Sequence, residues 1–209
     1  MKHQTNNEGA CHEHAHFASA TEALKHEHRV IEKVLGSLER LADPEREFSA
    51  EQWRKILEFI RGFADQCHHH KEEKLLFPAL EEHGIPVEGG PIGVMLVEHE
   101  EGRGYVKGMV DALALAETDP QTAKKILVTN AESYLRLLRE HIRKEDDILF
   151  HIADEILSPE EQERLAREFE EHEEQEIGVG VHDKYLRIAH ELEASVRGAG
   201  FLRSYCRAE

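Results

Sequence analysis

The sequence predicts an all-α protein, built around an antiparallel up-and-down four-helix bundle with one or two additional C-terminal helices. Apolar residues recur at helical spacing through most of its 209 residues. Aromatic residues make up only 6% of the chain and charged residues 33%, a composition that suits helices with solvated outer faces. A ten-residue string also occurs twice, which indicates one helical unit used in duplicate.

The first two predicted helices are bounded by capping and stop signals. The first covers residues 21–42 and ends at Asp43-Pro44, because proline cannot continue a helix. The second starts near Ser49, which opens a capping-box signature. Pro78 removes one backbone donor from this second helix, so we expect a kink or a frayed end there.

Four more helices follow a loop rich in glycine and proline at residues 84–91. The third helix covers residues 92–117, and the fourth begins at Asp119, an N-cap followed by proline. A capping box starts the fifth at residues 158–176, and two glycines separate it from the sixth at residues 181–196. The inner face of the fourth helix is predicted to carry Tyr134, Leu138, His141, Glu145, Ile148, Leu149 and Ile152.

These helices divide the chain into three parts. Residues 1–19 are polar and rich in histidine, and we expect them to form a flexible tail. Residues 20–157 are expected to form the bundle, and residues 158–209 are expected to form a C-terminal helical extension packed on it.

The charge balance limits the classes of partner. The chain has 43 acidic and 26 basic side chains, for a formal net charge of −17. Nucleic acids and anionic membranes need a basic surface, so we expect neither as a partner. The three cysteines are too scattered for a disulfide framework, and we find no apolar signal segment and no run of about 18 apolar residues. A cytoplasmic location is therefore expected.

The duplicated string contains a histidine and a glutamate one helical turn apart. Residues 68–77 read HHHKEEKLLF and residues 141–150 read HIRKEDDILF, which share H-x-x-K-E-acid-x-aliphatic-Leu-Phe. On a helix, each histidine and the glutamate four residues later lie on one face. A single histidine precedes each string, His28 by 40 residues in the first copy and His99 by 42 in the second.

Together the two copies supply six candidate metal ligands: His28, His68, Glu72, His99, His141 and Glu145. Both glutamates continue apolar stripes, and a buried carboxylate is costly unless it is paired or bound to metal. Neutral imidazoles with carboxylates suit iron, manganese or zinc. If both glutamates bridge two ions and each histidine binds one, some coordination positions stay open, which suits a site that binds a small molecule.

These residues resemble the signature of the hemerythrin-like, or HHE cation-binding, proteins. The matching strings are Glu27-His28, His68 to Pro78, Glu98-His99 and His141 to Phe150, in that order within about residues 20–157. The resemblance implies a hemerythrin-like four-helix bundle that carries two iron ions, bridged by carboxylates and by an oxo or hydroxo group. It also implies that four histidines are terminal ligands, namely His28, His68, His99 and His141. The two bridging ligands it implies are Glu72 and Glu145.

Two positions distinguish this chain from related di-iron proteins. Oxygen-carrying hemerythrins place a further histidine one turn after the third-helix ligand, where this chain has Arg103. The four-His, two-Glu set is more similar to bacterial proteins of iron–sulfur cluster repair, which carry paired cysteines near the N-terminus where this chain has only Cys11. A ferritin-like Glu-x-x-His pattern is disfavoured, because none of the four histidines has glutamate three residues before it.

The predicted function is binding of dioxygen or nitric oxide, for sensing, storage or defence. One alternative is iron–sulfur cluster repair or the turnover of peroxide or nitric oxide, and another is buffering of iron or zinc. We expect a protein that binds metal and small gases rather than an ordinary enzyme. The sequence leaves a protein partner and the oligomeric state open.

The sequence also leaves open which other side chains join the site. Superposing the two strings favours His68 with Glu72 over His69 with Glu73, because Ile142 occupies the position equivalent to His69. His172, Glu176 and His182 extend apolar stripes on the last two helices. We favour the interpretation that they belong to solvated helices docked on the bundle, rather than that they bind metal or gate the site. The residues left open are His69, Glu73, Asp146, His172, Glu176 and His182.

Overall fold

Six helical rods make up the part of the protein that a computed structural model describes, which is the backbone of residues 17–201 and the side chains of residues 17–195. Three of the rods contain π-helical segments, in which the backbone N–H bonds to the carbonyl five residues earlier. In chain order the first rod is α1 (Ala20–Leu41), and the second consists of α2 (Ala50–Phe59), π1 (Ile60–His69), π2 (Glu72–Leu76) and α3 (Phe77–Glu82). The third rod is α4 (Pro91–Leu115), and the fourth consists of α5 (Pro120–Lys144), π3 (Glu145–Leu149) and α6 (Phe150–Ile156). The fifth consists of α7 (Pro159–His172) and π4 (Glu173–Ile177), and the sixth is α8 (Val181–Phe201).

No strand occurs within residues 17–201, so the all-α prediction is confirmed. The helix α4 packs antiparallel along α5, and α1 together with the rod from α2 to α3 completes the bundle. Most of the predicted histidine-rich tail, residues 1–16, lies outside the described residues. None of the helices in the described range is long and apolar enough to cross a lipid bilayer.

Side chains at the helix starts accept hydrogen bonds from backbone N–H groups that have no partner within the helix. Ser49 accepts from the N–H of Gln52, and Asp119 accepts from the N–H of Thr122. Ser158 and Glu161 form a reciprocal capping box at the start of α7. These contacts place the helix starts where the capping signals predict them.

The buried apolar residues form two clusters, one toward each end of the bundle. In the second rod, Phe63 belongs to the larger cluster and Leu76 to the smaller one. In the rod that begins with α5, Leu138 belongs to the larger cluster and Leu149 to the smaller one. The candidate ligands lie between the two clusters along all four rods of the bundle, so apolar packing closes the site from both ends.

The segments π2 and π3 occupy equivalent positions in the two copies of the duplicated string. The N–H of Phe77 bonds to the carbonyl of Glu72, and the N–H of Phe150 bonds to the carbonyl of Glu145. The expected fraying at Pro78 does not occur, since the chain continues as α3. Proline is not the cause of the π turn, because π3 forms with histidine at the equivalent position.

One residue predicted to face inward on the fourth helix is exposed. The prediction for Ile148 is wrong, because this side chain is 53% exposed. Ile148 lies within π3, where the wider turn changes the direction of each side chain from that of a regular α-helix. Its neighbour Leu149 is buried as predicted.

The last two rods pack on one side of the bundle. The helices α7 and α8 both contact α1, and α8 also contacts α2 and π1. Tyr185 of α8 lies directly over Gly62 of π1, where an added Cβ would come within 1.8 Å of the phenol oxygen. The absence of a side chain at Gly62 therefore permits the close approach of α8.

Candidate metal centre

The structure brings the six predicted ligands together between the two apolar clusters. They come from α1, π1, π2, α4, α5 and π3, and none is more than 1% exposed. The six residues are His28, His68, Glu72, His99, His141 and Glu145. Two copies of one helical unit thus contribute three buried donor side chains each.

Each glutamate lies between one histidine of the first copy and one of the second. Glu72 places Oε1 3.5 Å from Nε2 of His68 and Oε2 3.5 Å from Nε2 of His99. Glu145 places Oε2 3.3 Å from Nε2 of His28 and 3.2 Å from Nε2 of His141. Both carboxylates therefore lie between histidines of the two copies, Glu72 through its two oxygens and Glu145 through one.

The donor atoms divide into two groups, and within each group they lie within 4.8 Å of one another. One group is His28, His68, Glu72 and Glu145. The other is His69, Glu72, His99 and His141. Glu72 belongs to both, so the two groups form one continuous centre.

His69 is the donor that the comparison of the two strings disfavoured. Its side chain is only 5% exposed, and its ring stacks on His99 with the centroids 3.8 Å apart. His68 and His69 are adjacent, and in a regular α-helix they would point about 100° apart. Both belong to π1, whose wider turn reduces that angle and brings both imidazoles to the centre.

Several inward-pointing atoms have no hydrogen-bond partner in the described structure. They are Nε2 of His28 and of His68, and both carboxylate oxygens of Glu72 and of Glu145. Buried polar atoms are nearly always paired, and an unpaired buried carboxylate is especially costly. A cation between these atoms would satisfy all of them, so the donor set fits a metal.

The outer nitrogen of each predicted histidine ligand is held by a carboxylate. The Nδ1 atoms of His28, His68, His99 and His141 lie 2.7, 2.9, 2.7 and 3.0 Å from Asp146, Glu27, Glu73 and Glu98 respectively. Such contacts fix the tautomer so that Nε2 is free for metal, and they make the imidazole a stronger donor. Glu73 and Asp146 are therefore outer partners of histidines and belong to neither donor group.

The phenylalanine that ends each string packs on the lone histidine of the other copy. Phe150 stacks on His28 with ring centroids 5.4 Å apart, and Phe77 stacks on His99 at 6.0 Å. Each copy therefore makes the same phenylalanine–histidine contact to the other copy. This shared contact explains why histidine, glutamate and phenylalanine have the same spacing in both strings.

Without metal, protons occupy part of this centre. Burial, together with the nearby Glu145 carboxylate, raises the pKa of Glu72 well above its usual value. Burial alone would also raise the pKa of Glu145, but His141 and His28 lower it well below the usual value. Burial opposes protonation of His141, yet Glu145 and Glu98 raise its pKa to about 9. At neutral pH a metal would therefore displace a proton from His141, and the raised pKa of Glu72 favours its protonated form in the metal-free centre.

The other residues left open by the sequence lie outside both donor groups. Glu176 is exposed, and Nε2 of His172 is buried without a hydrogen-bond partner. His182 bonds to Glu173 at 2.8 Å and joins a separate cluster with Glu27. Lys71 bonds to both carboxylates of that cluster, so its ammonium already supplies a positive charge there.

A cavity of about 350 Å³ opens beside His69. Apolar side chains and glycine form much of its lining, including Ile60, Gly102 and Tyr134. Arg103 also lines it and bonds to Glu73, the outer partner of His99. Arg103 occupies the position at which oxygen carriers have a further histidine. Here it supports the candidate ligand His99 through Glu73.

Comparison with known proteins agrees with this arrangement. The family model of the hemerythrin HHE cation binding domain matches residues 19–153. The uncharacterized proteins Mb2018 of Mycobacterium bovis and Rv1995 of Mycobacterium tuberculosis are each 26% identical to this chain over 182 residues, which is 85% of this chain and 70% of the relative. No solved structure matches the chain significantly. The chain belongs to the hemerythrin HHE cation binding domain family.

Proposed function

We propose that this protein holds two iron ions in the buried His/Glu centre and binds dioxygen or nitric oxide there, for sensing, storage or defence. The observation that carries the proposal is the pair of donor groups that share Glu72. Its two oxygens face different histidines, and neither oxygen has a hydrogen-bond partner. This is the arrangement expected of a carboxylate that bridges two cations.

The donors divide unequally between the two proposed ions. His28 and His68 would hold the first ion, and three imidazoles would hold the second, from His69, His99 and His141. If both carboxylates were shared, the first ion would have four protein donors and the second five, so the first would keep more positions for an added ligand.

The chain supplies a setting suited to a small neutral ligand. Two apolar clusters close the centre along the bundle axis, and Phe77 and Phe150 cover its histidines. When bound, iron would supply a redox-active Lewis acid with affinity for diatomic ligands. A cavity opens beside His69, on the side of the donor group that would hold the second ion.

Metal analysis combined with optical spectra tests this proposal. The purified full chain is loaded anaerobically with iron(II), and spectra are recorded before and after addition of dioxygen or nitric oxide. We expect close to two iron ions per chain and a visible band that appears with the gas and is lost when the gas is removed.

Other outcomes of the same experiment would favour the alternatives. Bound zinc or iron without any response to either gas would contradict gas binding and favour metal buffering. Repeated consumption of peroxide or nitric oxide by catalytic amounts of protein would favour turnover. A chain that retains no metal would contradict the proposal entirely.

A further inference from the structure

Each outer carboxylate of the centre is paired with a basic side chain. Asp146 bonds to Arg29, Glu73 to Arg103 and Glu98 to Lys144, while Glu27 bonds to Lys71. Arg29, Lys144 and Arg103 are 50%, 32% and 28% exposed respectively. Lys71 differs from them, because its side chain is only 5% exposed.

The C-terminal rods cause this difference. Lys71 and Lys144 occupy equivalent positions in the two copies of the string, but only Lys71 lies beneath a further rod. Its ammonium bonds to Oε1 of Glu27 at 2.5 Å and to Oε2 of Glu173 at 2.7 Å. Glu173 belongs to π4, beyond the residues that the family model matches.

A continuous series of contacts thus connects the C-terminal rods to a ligand of the centre. Nδ1 of His182 bonds to Glu173 at 2.8 Å, Glu173 bonds to Lys71, and Lys71 bonds to Glu27. Glu27 accepts the hydrogen bond from Nδ1 of His68 at 2.9 Å. No equivalent series reaches His141 among the described residues, since Glu98 pairs only with Lys144 beyond that histidine.

The docking of α8 holds this series in place. The ring of His182 packs edge-on against Phe63 with the centroids 5.2 Å apart. Tyr185 lies over Gly62, one residue before Phe63 on π1. The same segment of π1 carries His68, so the position of α8 is fixed relative to the ligand that the series reaches.

We infer that Glu173 is a positioning residue that strengthens His68 as a ligand, and that His182 holds Glu173 in place beside Lys71. The inference rests on the proposed binding of two ions. Glu173 shares the positive charge of Lys71, which leaves Glu27 a better acceptor for the N–H of His68. A better acceptor raises the electron density of the imidazole and hence its strength as a metal donor. Without the Glu173 charge, the whole positive charge of Lys71 would act on Glu27. Glu27 would then be a poorer acceptor for the N–H of His68, and His68 would be a weaker metal ligand.

The test compares Glu173→Gln with Glu174→Gln in the full chain. Glu174 is the exposed neighbour in the same π4 segment, so it controls for the loss of one charge. Iron(II) is titrated anaerobically against a competing chelator, and the loaded proteins are examined by Mössbauer spectroscopy with enriched iron, which reports on each ion separately. In Glu173→Gln we expect up to about a tenfold rise in one dissociation constant, because Glu173 acts through Lys71 on Glu27, and direct outer partners of metal ligands contribute 10- to 100-fold. Only one of the two Mössbauer signals should shift.

Two more variants separate positioning from loss of folding. His182→Phe keeps a ring against Phe63 but removes the contact to Glu173, and we expect it to shift the same signal as Glu173→Gln. Lys71→Arg retains the charge and should leave both signals near those of the wild type, whereas Lys71→Met should shift one of them.

The results overturn the inference if the wild type loads two ions and Glu173→Gln and His182→Phe leave both signals unchanged. An equal change at both ions would also overturn it, since that pattern indicates general destabilisation. Failure of the wild type to load iron would instead contradict the proposed function, so the two failures are distinguishable.

Discussion

The imidazole rings of His69 and His99 stack with their centroids 3.8 Å apart and their planes 15° from parallel. This contact places a fifth histidine in the centre, from a position that has isoleucine in the second copy of the string. The two halves of the centre are therefore unequal although the sequence that builds them is duplicated.

The stacked histidine should be required for one ion only. We expect His69→Ala to weaken binding of the second ion by about 100-fold or more, because even outer partners of ligands contribute 10- to 100-fold. Binding of the first ion should change little. His70→Ala is the matched control, because His70 is adjacent but belongs to neither donor group. Equal iron content in His69→Ala, His70→Ala and the wild type after gel filtration would show that His69 is not a ligand.

Each of the two inward carboxylates should be required for full iron loading. Glu72→Gln and Glu145→Gln keep the side-chain shape but remove the charge, so the iron content should fall from two ions per chain to one or fewer. Asp147→Asn is the control, since Asp147 is exposed two residues after Glu145. Full iron content in both glutamine variants, measured by elemental analysis, would show that the wrong carboxylates have been identified.

Metal binding should be linked to proton release. Nearby Glu145 and Glu98 outweigh burial and raise the pKa of His141 to about 9, and burial raises the pKa of Glu72. His141 therefore holds a proton at neutral pH that a metal must displace, and the raised pKa of Glu72 favours proton release in the same direction. The affinity for iron(II) should consequently rise with pH up to about 9 and fall as the solution becomes acidic.

Calorimetry measures this proton release directly. Titrations at one pH in two buffers that differ in ionisation enthalpy give the number of protons released per ion. The expected number is greater than zero at pH near 7. Identical heats in both buffers would contradict the arrangement of protonated groups described for the metal-free centre.

Two glycines, one in α1 and one in π1, should respond oppositely to alanine. At Gly36 of α1 an added Cβ would meet no atom within 4 Å beyond its chain neighbours and the backbone of its own helix, whereas at Gly62 the Cβ would clash with Tyr185. We expect Gly36→Ala to stabilise the protein by about 1 kcal/mol, because alanine is the better helix former. Gly62→Ala should destabilise it by about 1–3 kcal/mol through overpacking against α8. Denaturant unfolding measures both, and equal free energies of unfolding would refute the role of Gly62 in docking α8.

The sequence alone determined the helical rods and six buried donors, because both follow local rules. Capping residues such as Ser49 and Asp119 act within one turn, and the four-residue spacing from His68 to Glu72 places both on one face. Duplication of the string set the register of the two copies, since equivalent contacts such as Phe150 on His28 and Phe77 on His99 form in both.

Only the tertiary structure decided which further residues join or support the centre. The inward prediction for Ile148 assumes a period of 3.6 residues, which fails where π3 forms. The comparison of the two strings disfavours His69 because Ile142 is its counterpart, and only the packing around π1 shows that His69 lies at the centre. The residues that support the ligands lie far from their partners in the chain, as Asp146 does from His28 and Glu173 does from Lys71. Local patterns carry no information on such pairs, because packing of whole rods against each other brings them together.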